Sequence, residues 1–576
     1  MPTASSLVME LRRSALFPSD LHDPCVRAGG IDWTEQDTTR LGYSASKADR
    51  GPTMLLHLRA VTALAVGAIC CAAVAQTTFS SRYIALNQYP QHRLQVDLNG
   101  DGIPDVLISV NDGQLKEILS NGNASYTTIT PSAPESEYMP LASGDFNGDG
   151  KNDVFFYDAS GGSKLFLFGY GDGKGGFTSF QQAPNLPGVV TGETATIAAE
   201  TGDFNGDGKP DVALVYQQNL NYQPVSINVV LYLNNGSGFT NAGTVWKFAM
   251  PPNSQGGVEY HTTPEFDLLV GDYDADGHGD LALRYLIAND PTTADANLVI
   301  LYGNGAGKFT PSTVFANRES YLQFDSADVN DDGRTDLVGV DLDHSVHIFY
   351  GHANRVMAEQ TLPSSATGGT ALDFVPPRVA DFDGNGTKDI LFAAFDPASQ
   401  TDSTGVRVFY RSASGAFTLG SYTKVDDFNI TSAGQNPFIG DLIGDYNRDR
   451  RPDVGLLLTD SAINHPNSLA LVLNTGTKAF GTCSPPSLGI HVCSPGSTAA
   501  GTSVAFGVSA TSFYRLRKLE IWVDGVKKRE TYHVFGTQGY DNATLSLSAG
   551  KHTVGIYAVA MDESLKLHTS FTVTVQ

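Results

Sequence analysis

Short apolar runs recur along the middle of the chain, and turns rich in glycine, asparagine and aspartate separate them. Seven of these runs directly follow an aspartate: Val106–Val110, Val154–Tyr157, Val212–Tyr216, Leu281–Tyr285, Leu337–Val340, Ile390–Ala394 and Val454–Leu458. A further run follows several of them after a variable linker: Ile227–Leu233, Leu298–Tyr302, Val346–Tyr350 and Val406–Tyr410. Runs of this length between such turns predict antiparallel β-hairpins.

The turn before each of the seven runs has one nine-residue pattern, which Asp203–Asp211 shows in full as D-F-N-G-D-G-K-P-D. Side-chain oxygens at positions 1, 3, 5 and 9, with the backbone carbonyl of position 7, can surround one calcium ion at about 2.3–2.6 Å. Glycine at position 6 permits the sharp turn that this requires. One such pattern is weak, because aspartate, asparagine and glycine are common in ordinary turns.

Seven copies of the pattern make a coincidence of unrelated turns a poor explanation. The steps between the first aspartates are 48, 58, 69, 56, 53 and 64 residues, which indicates an array of one supersecondary unit. Four strands in each of seven units predict a seven-bladed β-propeller. The candidate metal ligands are Asp97, Asn99, Asp101 and Asp105; Asp145, Asn147, Asp149 and Asp153; Asp203, Asn205, Asp207 and Asp211; Asp272, Asp274, Asp276 and Asp280; Asp328, Asn330, Asp332 and Asp336; Asp381, Asp383, Asn385 and Asp389; and Asp445, Asn447, Asp449 and Asp453.

The loop, followed later by an N-G-x-G-x-F turn such as Asn235–Phe239, resembles the FG-GAP/VCBS repeat of integrin α-subunits and many secreted bacterial proteins. The resemblance covers the predicted propeller, residues 76–481, and implies calcium as the bound ion. Two loops depart from the pattern: loop six has Asn385 at position 5, and loop seven has Arg450 where glycine is expected. Loop four offers four carboxylates, whereas loop seven offers three and also contains Arg448 and Arg451. Because nearby cations oppose a divalent ion, we expect loop seven to bind calcium most weakly.

Ring closure has two sequence interpretations. The segment Phe79–Leu86 could supply an outer strand for the seventh unit, or residues 76–90 could be only a linker.

The long linkers of the repeats should lie on the face opposite the acidic loops, because the loops and the glycine turns occupy the other face. These linkers are Gln217–Val225, Met250–Glu265, Ile287–Asn297 and Asp396–Gly405. Variable loops on a rigid scaffold often carry recognition. Tyr222, Tyr260 and His261 are therefore the candidate ligand-binding residues, with inert surface loops as the alternative.

The ends of the chain differ from its middle. Residues 1–53 show no useful period and fit an over-extended start or a leader, and residues 54–75 have the pattern of a signal peptide ending in Ala73-Val74-Ala75. A membrane anchor is the alternative, although the apolar run is shorter than the roughly 20 residues of a span. Residues 482–576 have alternating strands without acidic loops, similar to an immunoglobulin-like β-sandwich. Cys483 and Cys493 could form a disulfide or remain free thiols.

Composition limits the function. The 37 basic and 61 acidic residues give a formal charge of −24, which disfavours nucleic acid and anionic membrane surfaces as partners. The loops hold 22 aspartates in ligand positions, and no familiar nucleophile or zinc pattern is present. The sequence thus predicts an all-β, calcium-binding protein that is secreted, periplasmic or on the cell surface. We expect it to bind a glycan or protein without catalysis. A polysaccharide lyase on the same scaffold and a structural surface module are the alternatives, and the sequence leaves the oligomeric state open.

Overall fold

The computed structural model describes residues 78–576 except 111–112, 124, 132–137, 159–165, 187–193, 221–222, 251–265, 291–292, 320–321, 373–374, 399–403, 427–437, 459–464, 466 and 477–479. Residues Ala73–Gln576 form one compact unit. The predicted leader, residues 1–53, and the predicted signal peptide, residues 54–75, lie outside the described residues. No helix in the described part of the chain is long and apolar enough to cross a membrane.

The described part of the chain is almost entirely β-structure, and its middle consists of seven antiparallel sheets that follow one another in sequence. We call each sheet with its acidic loop a repeat. The first three repeats contain β2 (Pro90–Val96), β3 (Asp105–Val110), β4 (Leu115–Ser120) and β5 (Tyr126–Ile129); β6 (Tyr138–Gly144), β7 (Asp153–Asp158), β8 (Phe166–Gly171) and β9 (Phe177–Gln182); and β10 (Thr194–Gly202), β11 (Asp211–Leu220), β12 (Gln223–Asn234) and β13 (Phe239–Ala249).

The next three repeats have the same order. They contain β14 (Phe266–Gly271), β15 (Asp280–Asp290), β16 (Thr293–Gly303) and β17 (Phe309–Glu319); β18 (Gln323–Ala327), β19 (Asp336–Val340), β20 (Val346–Tyr350) and β21 (Ala358–Leu362); and β22 (Arg378–Ala380), β23 (Asp389–Phe395), β24 (Thr404–Arg411), β25 (Phe417–Leu419) and β26 (Thr423–Asp426). A four-residue helix, α1 (Ser364–Thr367), lies between repeats five and six.

The seventh sheet combines the end of the repeated region with its beginning. Its strands are β27 (Phe438–Gly444), β28 (Asp453–Leu458), β29 (Ser468–Asn474) and, at the outer edge, β1 (Phe79–Ala85). Strand β1 pairs antiparallel with β29, from Phe79 opposite Asn474 to Ala85 opposite Ser468. The early segment therefore supplies the outer strand, which is one of the two interpretations that the sequence allowed.

Each sheet packs against the next through buried apolar side chains. Both faces of a middle strand are covered, so strands such as β3 and β19 are buried at every residue. One apolar cluster joins repeats one and two, another joins two and three, and the series continues to six and seven. A further cluster joins repeat seven to repeat one, with Leu457 and Leu471 against Ile108 and Ile118. The packing thus returns to its starting sheet.

The C-terminal region, residues 483–576, forms two further sheets around a separate apolar core. One sheet has the order β30 (Gly489–Ser494), β32 (Ser503–Thr511), β36 (Gln538–Ser546), β35 (Val534–Phe535). The other has the order β31 (Thr498–Ala499), β38 (Lys566–Val575), β37 (Gly550–Ala560), β33 (Leu516–Val523), β34 (Val526–Thr531). Side chains of both sheets, such as Phe506 and Ile556, share one buried cluster. Cys483 and Cys493 are joined by a disulfide.

Two of the predicted linkers are largely strands. In repeat three, Leu220 pairs with Gln223, so only two residues of the chain separate the paired strands. In repeat four, Asp290 pairs with Thr293 in the same way. The expectation of long irregular loops at Gln217–Val225 and Ile287–Asn297 was therefore wrong. The polar residues there continue the ladder beyond the apolar run, where the hydrophobic pattern no longer indicates a strand.

Candidate metal centres

Each acidic loop connects the first two strands of its repeat and folds around its first aspartate. In loop three, Oδ1 of Asp203 accepts the N–H groups of Gly206 and Asp207 at 2.7 and 3.1 Å, and Oδ2 accepts that of Gly208 at 2.8 Å. Positions 4 and 6 have positive φ in all seven loops, which explains the preference for glycine there. Loop seven keeps this turn with Arg448 and Arg450 at φ 59° and 65°. Its hydrogen bonds to Asp445 match those of loop three.

The aspartate at position 9 begins the second strand of every repeat and is fully buried. One of its oxygens accepts an N–H group from the end of the third strand, as Asp211 does from Asn234 at 2.8 Å. In six repeats the other oxygen accepts the N–H group of position 2, as Asp211 does from Phe204 at 3.1 Å. This side chain therefore connects the loop to the sheet as well as facing the acidic cluster.

In two loops the carboxylate oxygens lie close enough together for one hard divalent cation. One oxygen from each of Asp272, Asp274 and Asp276 lies within 4.8 Å of the others, and one from each of Asp381, Asp383 and Asp389 does likewise. Two ligands on opposite sides of a calcium ion are separated by about this distance. Oxygen-only clusters of carboxylates, amides and carbonyls match the preference of calcium rather than of zinc or copper.

Burial makes the carboxylates costly to ionise without a cation. Burial, with a smaller contribution from neighbouring aspartates, raises the pKa of Asp153 and Asp211 to about 7. At position 1, burial raises the pKa of Asp97 and Asp328 to about 6. A bound divalent ion would favour the ionised form of all these groups.

In loop four, an arginine side chain pairs with two of the candidate metal ligands. Arg355, in the turn before β21, donates from Nε to Asp274 Oδ2 at 2.6 Å and from Nη2 to Asp276 Oδ2 at 3.2 Å. Its guanidinium also lies over the ring of Tyr302, 4.9 Å from the centroid. The loop with the most carboxylates is thus partly neutralised by an arginine 81 residues from Asp274, which the sequence pattern did not indicate.

The C-terminal region contacts the loop face of all seven repeats. The Gln538 side chain joins two loops, because Nε2 donates to Gly102 O at 3.1 Å and Oε1 accepts the N–H group of Asp445 at 3.0 Å. Tyr514 OH accepts the N–H group of Asp145 at 3.4 Å. Asp562 Oδ2 accepts that of Asp203 at 2.8 Å.

The remaining three repeats are contacted through buried cations. Arg517 is almost fully buried, pairs with Glu563, donates to the Gly333 carbonyl, and has Nη1 at 3.7 Å from Asp272 Oδ2. It therefore lies between loops four and five. Lys388, at position 8 of loop six, donates to Val534 O at 2.8 Å.

Sequence reasoning did not find these contacting residues. The available signal was a charged pair, Arg517-Lys518, inside the apolar strand β33, where alternating polar residues are expected to be exposed rather than buried. The region was predicted only as a separate sandwich, and its contact with the acidic loops was not expected.

The predicted ligand-binding residues are not described by the structure. Tyr260 and His261 belong to the omitted segment 251–265, and Tyr222 to the omitted pair 221–222. A cavity of about 330 Å³ lies elsewhere, between the outer strands of repeats two and three, and is lined by Phe168, Gln181, Gln182, Ala183, Pro184, Asn185 and Phe239.

A family profile described as the FG-GAP-like repeat matches residues 97–156, 145–214, 203–283 and 328–392. Each matched stretch begins at the first aspartate of one loop and runs past the next loop. These four stretches are FG-GAP-like repeats. Together with the all-β architecture, they support an FG-GAP β-propeller.

The chain is similar to the T-cell immunomodulatory proteins of Homo sapiens and Mus musculus. It is 28% identical to the human protein over 220 residues, 36% of this chain and 34% of that protein. It is 29% identical to the mouse protein over 201 residues, 32% of this chain and 31% of that protein. The matched part is about one third of these relatives' length. Among solved structures, the Dos1 propeller gives a TM-score of 0.38 at 9% identity, covering 70% of this chain and 83% of that chain.

Proposed function

We propose that this chain is a calcium-stabilised, seven-bladed β-propeller whose C-terminal region is an immunoglobulin-like sandwich seated on the calcium face. In this proposal residues 76–481 form the propeller and residues 482–576 the sandwich. The protein acts outside the cytoplasm, as a secreted, periplasmic or surface protein that binds a glycan or protein and does not catalyse a reaction.

The observation that carries the proposal is the repetition of one buried acidic loop between the first two strands of every sheet. The aspartate at position 9 is buried in all seven loops and the one at position 1 in five, which is costly for carboxylates without a cation. A cation in each loop offsets that cost and connects the first strand to the second. Positions 1, 3, 5 and 9 would supply side-chain oxygens, and position 7 its carbonyl.

The assignment of ligand binding to the opposite face rests on accessibility. Every loop region is contacted by the C-terminal region, whereas the second-to-third strand turns lie at the other ends of the strands. The resemblance to the FG-GAP/VCBS repeats of integrin α-subunits and secreted bacterial proteins, together with the predicted signal peptide, supports an extracellular setting. The ligand would contact the turns around Tyr222, Tyr260 and His261.

The proposal is tested on the full chain in two steps. Calorimetric titration of the chelator-treated protein with calcium measures how many ions bind, and we expect several sites. Binding to immobilised glycans and to extracellular proteins is then measured with and without calcium. Absence of calcium uptake would refute the metal assignment, and turnover of a bound polysaccharide would refute the non-catalytic one.

A further inference from the structure

Repeat one has a buried glutamate at a position that is apolar in every other repeat. Glu117 in β4 lies opposite Leu107, two residues after the position 9 aspartate. The residues at the matching register positions are Phe168, Leu231, Ile300, Ile348, Val408 and Leu471. Burial of an unpaired charge is unfavourable. A carboxylate at a position that is otherwise apolar therefore indicates a specific role in repeat one.

Three buried carboxylate oxygens of repeat one have no hydrogen-bond partner among the described residues. They are both oxygens of Glu117 and Oδ2 of Asp105, and both residues are fully buried. In the other six repeats the oxygen that corresponds to Asp105 Oδ2 accepts the N–H group of position 2. Repeat one therefore differs from the other six in two neighbouring residues: Glu117 replaces an apolar side chain, and Asp105 Oδ2 lacks, among the described residues, the N–H donor that its counterparts have.

The register brings the two carboxylates to one side of the sheet. Since Leu107 pairs with Glu117, Asp105 and Glu117 are diagonal neighbours on the same face of β3 and β4. Such neighbours have Cα atoms about 7–8 Å apart, within reach of a long side chain.

Loop one and the next repeat border the same place. A Cβ added to Gly175 would lie 2.9 Å from Glu117 Oε2, and the Gly175 N–H group donates to Leu98 O in loop one at 3.2 Å. Asp97 and Asp172 are close enough for their charges to act on Glu117. The orphaned oxygens thus lie where loop one meets repeat two.

We propose that Glu117 is an additional ligand of the loop-one cation, and that loop one with Glu117 forms a divalent-cation site different from the other six. This inference rests on the proposed calcium function and deepens it. Glu117 would join Asp97, Asp101 and Asp105 as a fourth carboxylate, with Asn99 and the carbonyl of Ile103 as neutral ligands, and the cation would draw these oxygens closer together than the described side chains place them. Hard oxygen ligands and high negative charge select calcium over softer metals.

Two substitutions of Glu117 test the proposal in the full chain. Glu117→Gln keeps the shape of the side chain and removes its charge, whereas Glu117→Leu copies Leu231 and Leu471 of repeats three and seven. Glu530→Gln is the matched control, since Glu530 pairs with Lys527 in the C-terminal region rather than with a loop. Each chelator-treated protein is titrated with calcium by calorimetry, and its melting temperature is measured with and without calcium.

We expect both Glu117 variants to weaken one site by roughly tenfold or more, since even outer-shell partners of a metal are worth about 10–100-fold in affinity. The other sites and the Glu530→Gln titration should match the unchanged protein. Titrations of both Glu117 variants that superimpose on the unchanged protein would overturn the inference, with Glu117 then a protonated core residue. A chain that takes up no calcium at all would instead refute the proposed function, so the two failures are distinct.

Discussion

The acidic loops at one end of the repeated strands vary little between repeats, whereas the hairpins at the other end vary in length. At one end, all seven loops keep nine residues and the same turn around the first aspartate, and the C-terminal region contacts every repeat. At the other end, the second and third strands range from 5 residues each in repeat five to 10 and 12 residues in repeat three. Uniform loops suit a shared structural task, and hairpins of different reach suit recognition of a ligand.

Removal of divalent cations should give the largest effect, because it acts on all the loops together. We expect a large fall in melting temperature in excess chelator, since clustered buried aspartates then repel one another. Each site that binds only the folded chain contributes roughly 2.7 kcal/mol at a hundredfold excess over its Kd. Scanning fluorimetry measures the shift, and chelator already saturated with calcium is the control. If the melting curves with and without chelator superimposed, calcium would not be what stabilises the acidic loops.

Loss of Arg517 should be the next largest effect, because it is the buried cation between loops four and five. Arg517→Met removes the buried cation beside Asp272 and leaves Glu563 with Lys518 alone. Breaking a buried ion pair costs about 3–5 kcal/mol. We expect a lower melting temperature and faster proteolysis of the C-terminal region. The control is Arg529→Met, since Arg529 is partly exposed and pairs with Asp541 within the C-terminal region. Equal effects of the two changes would argue against a specific contact with the loops.

Loop four should gain affinity when its internal cation is removed. Arg355→Ala frees Asp274 and Asp276, so we expect one calcium site to strengthen by roughly tenfold, with a smaller change in melting temperature. Calorimetric titration measures this. Arg334→Ala is the comparison, since Arg334 and its partner Asp332 both belong to loop five. An unchanged titration would show that Arg355 does not compete with calcium for Asp274 and Asp276. The expectation that loop seven is weakest stays a prediction.

The smallest effect on stability should come from substitutions on the face opposite the acidic loops. Tyr260→Ala with His261→Ala should leave the melting temperature nearly unchanged and weaken ligand capture. Asp207→Ala in loop three should do the reverse, because it removes a central candidate ligand from a buried cluster. The measurement is a melting curve and a binding curve for each variant. If Asp207→Ala abolished binding with an intact melting curve, calcium would contact the ligand directly.

Repetition made the fold predictable from the sequence. Seven copies of one loop indicated seven sheets, and Val346–Tyr350 was predicted with the bounds that β20 has. The bounds failed where polar residues extend a strand, as in β12, which begins at Gln223 rather than Ile227. Backbone hydrogen bonds between strands stabilise these extensions. Their side chains are polar, so the sequence shows no alternation of hydrophobic residues that would predict them.

The site was predictable only within each loop. Aspartate, asparagine and glycine at fixed spacing specify the local turn, so the candidate ligands follow from a short stretch of sequence. Contacts between distant residues have no such signature: Asp203 meets Asp562 through one hydrogen bond across 359 residues. Arg355 reaches loop four by the geometry of the next repeat, and neither pairing has a spacing that a single sequence reveals.

The pairing of β1 with β29 has a consequence for how the chain is made. Thr78 and Thr475 share a hydrogen bond although 397 residues separate them. At a synthesis rate of about 5–20 residues per second, the first strand waits roughly 20–80 seconds for its partner. During that interval β29 has not yet been made, so the last sheet assembles after the others and the strand edge of β1 stays open to other chains. We therefore expect the pairing of β1 with β29 to be the folding step most exposed to aggregation.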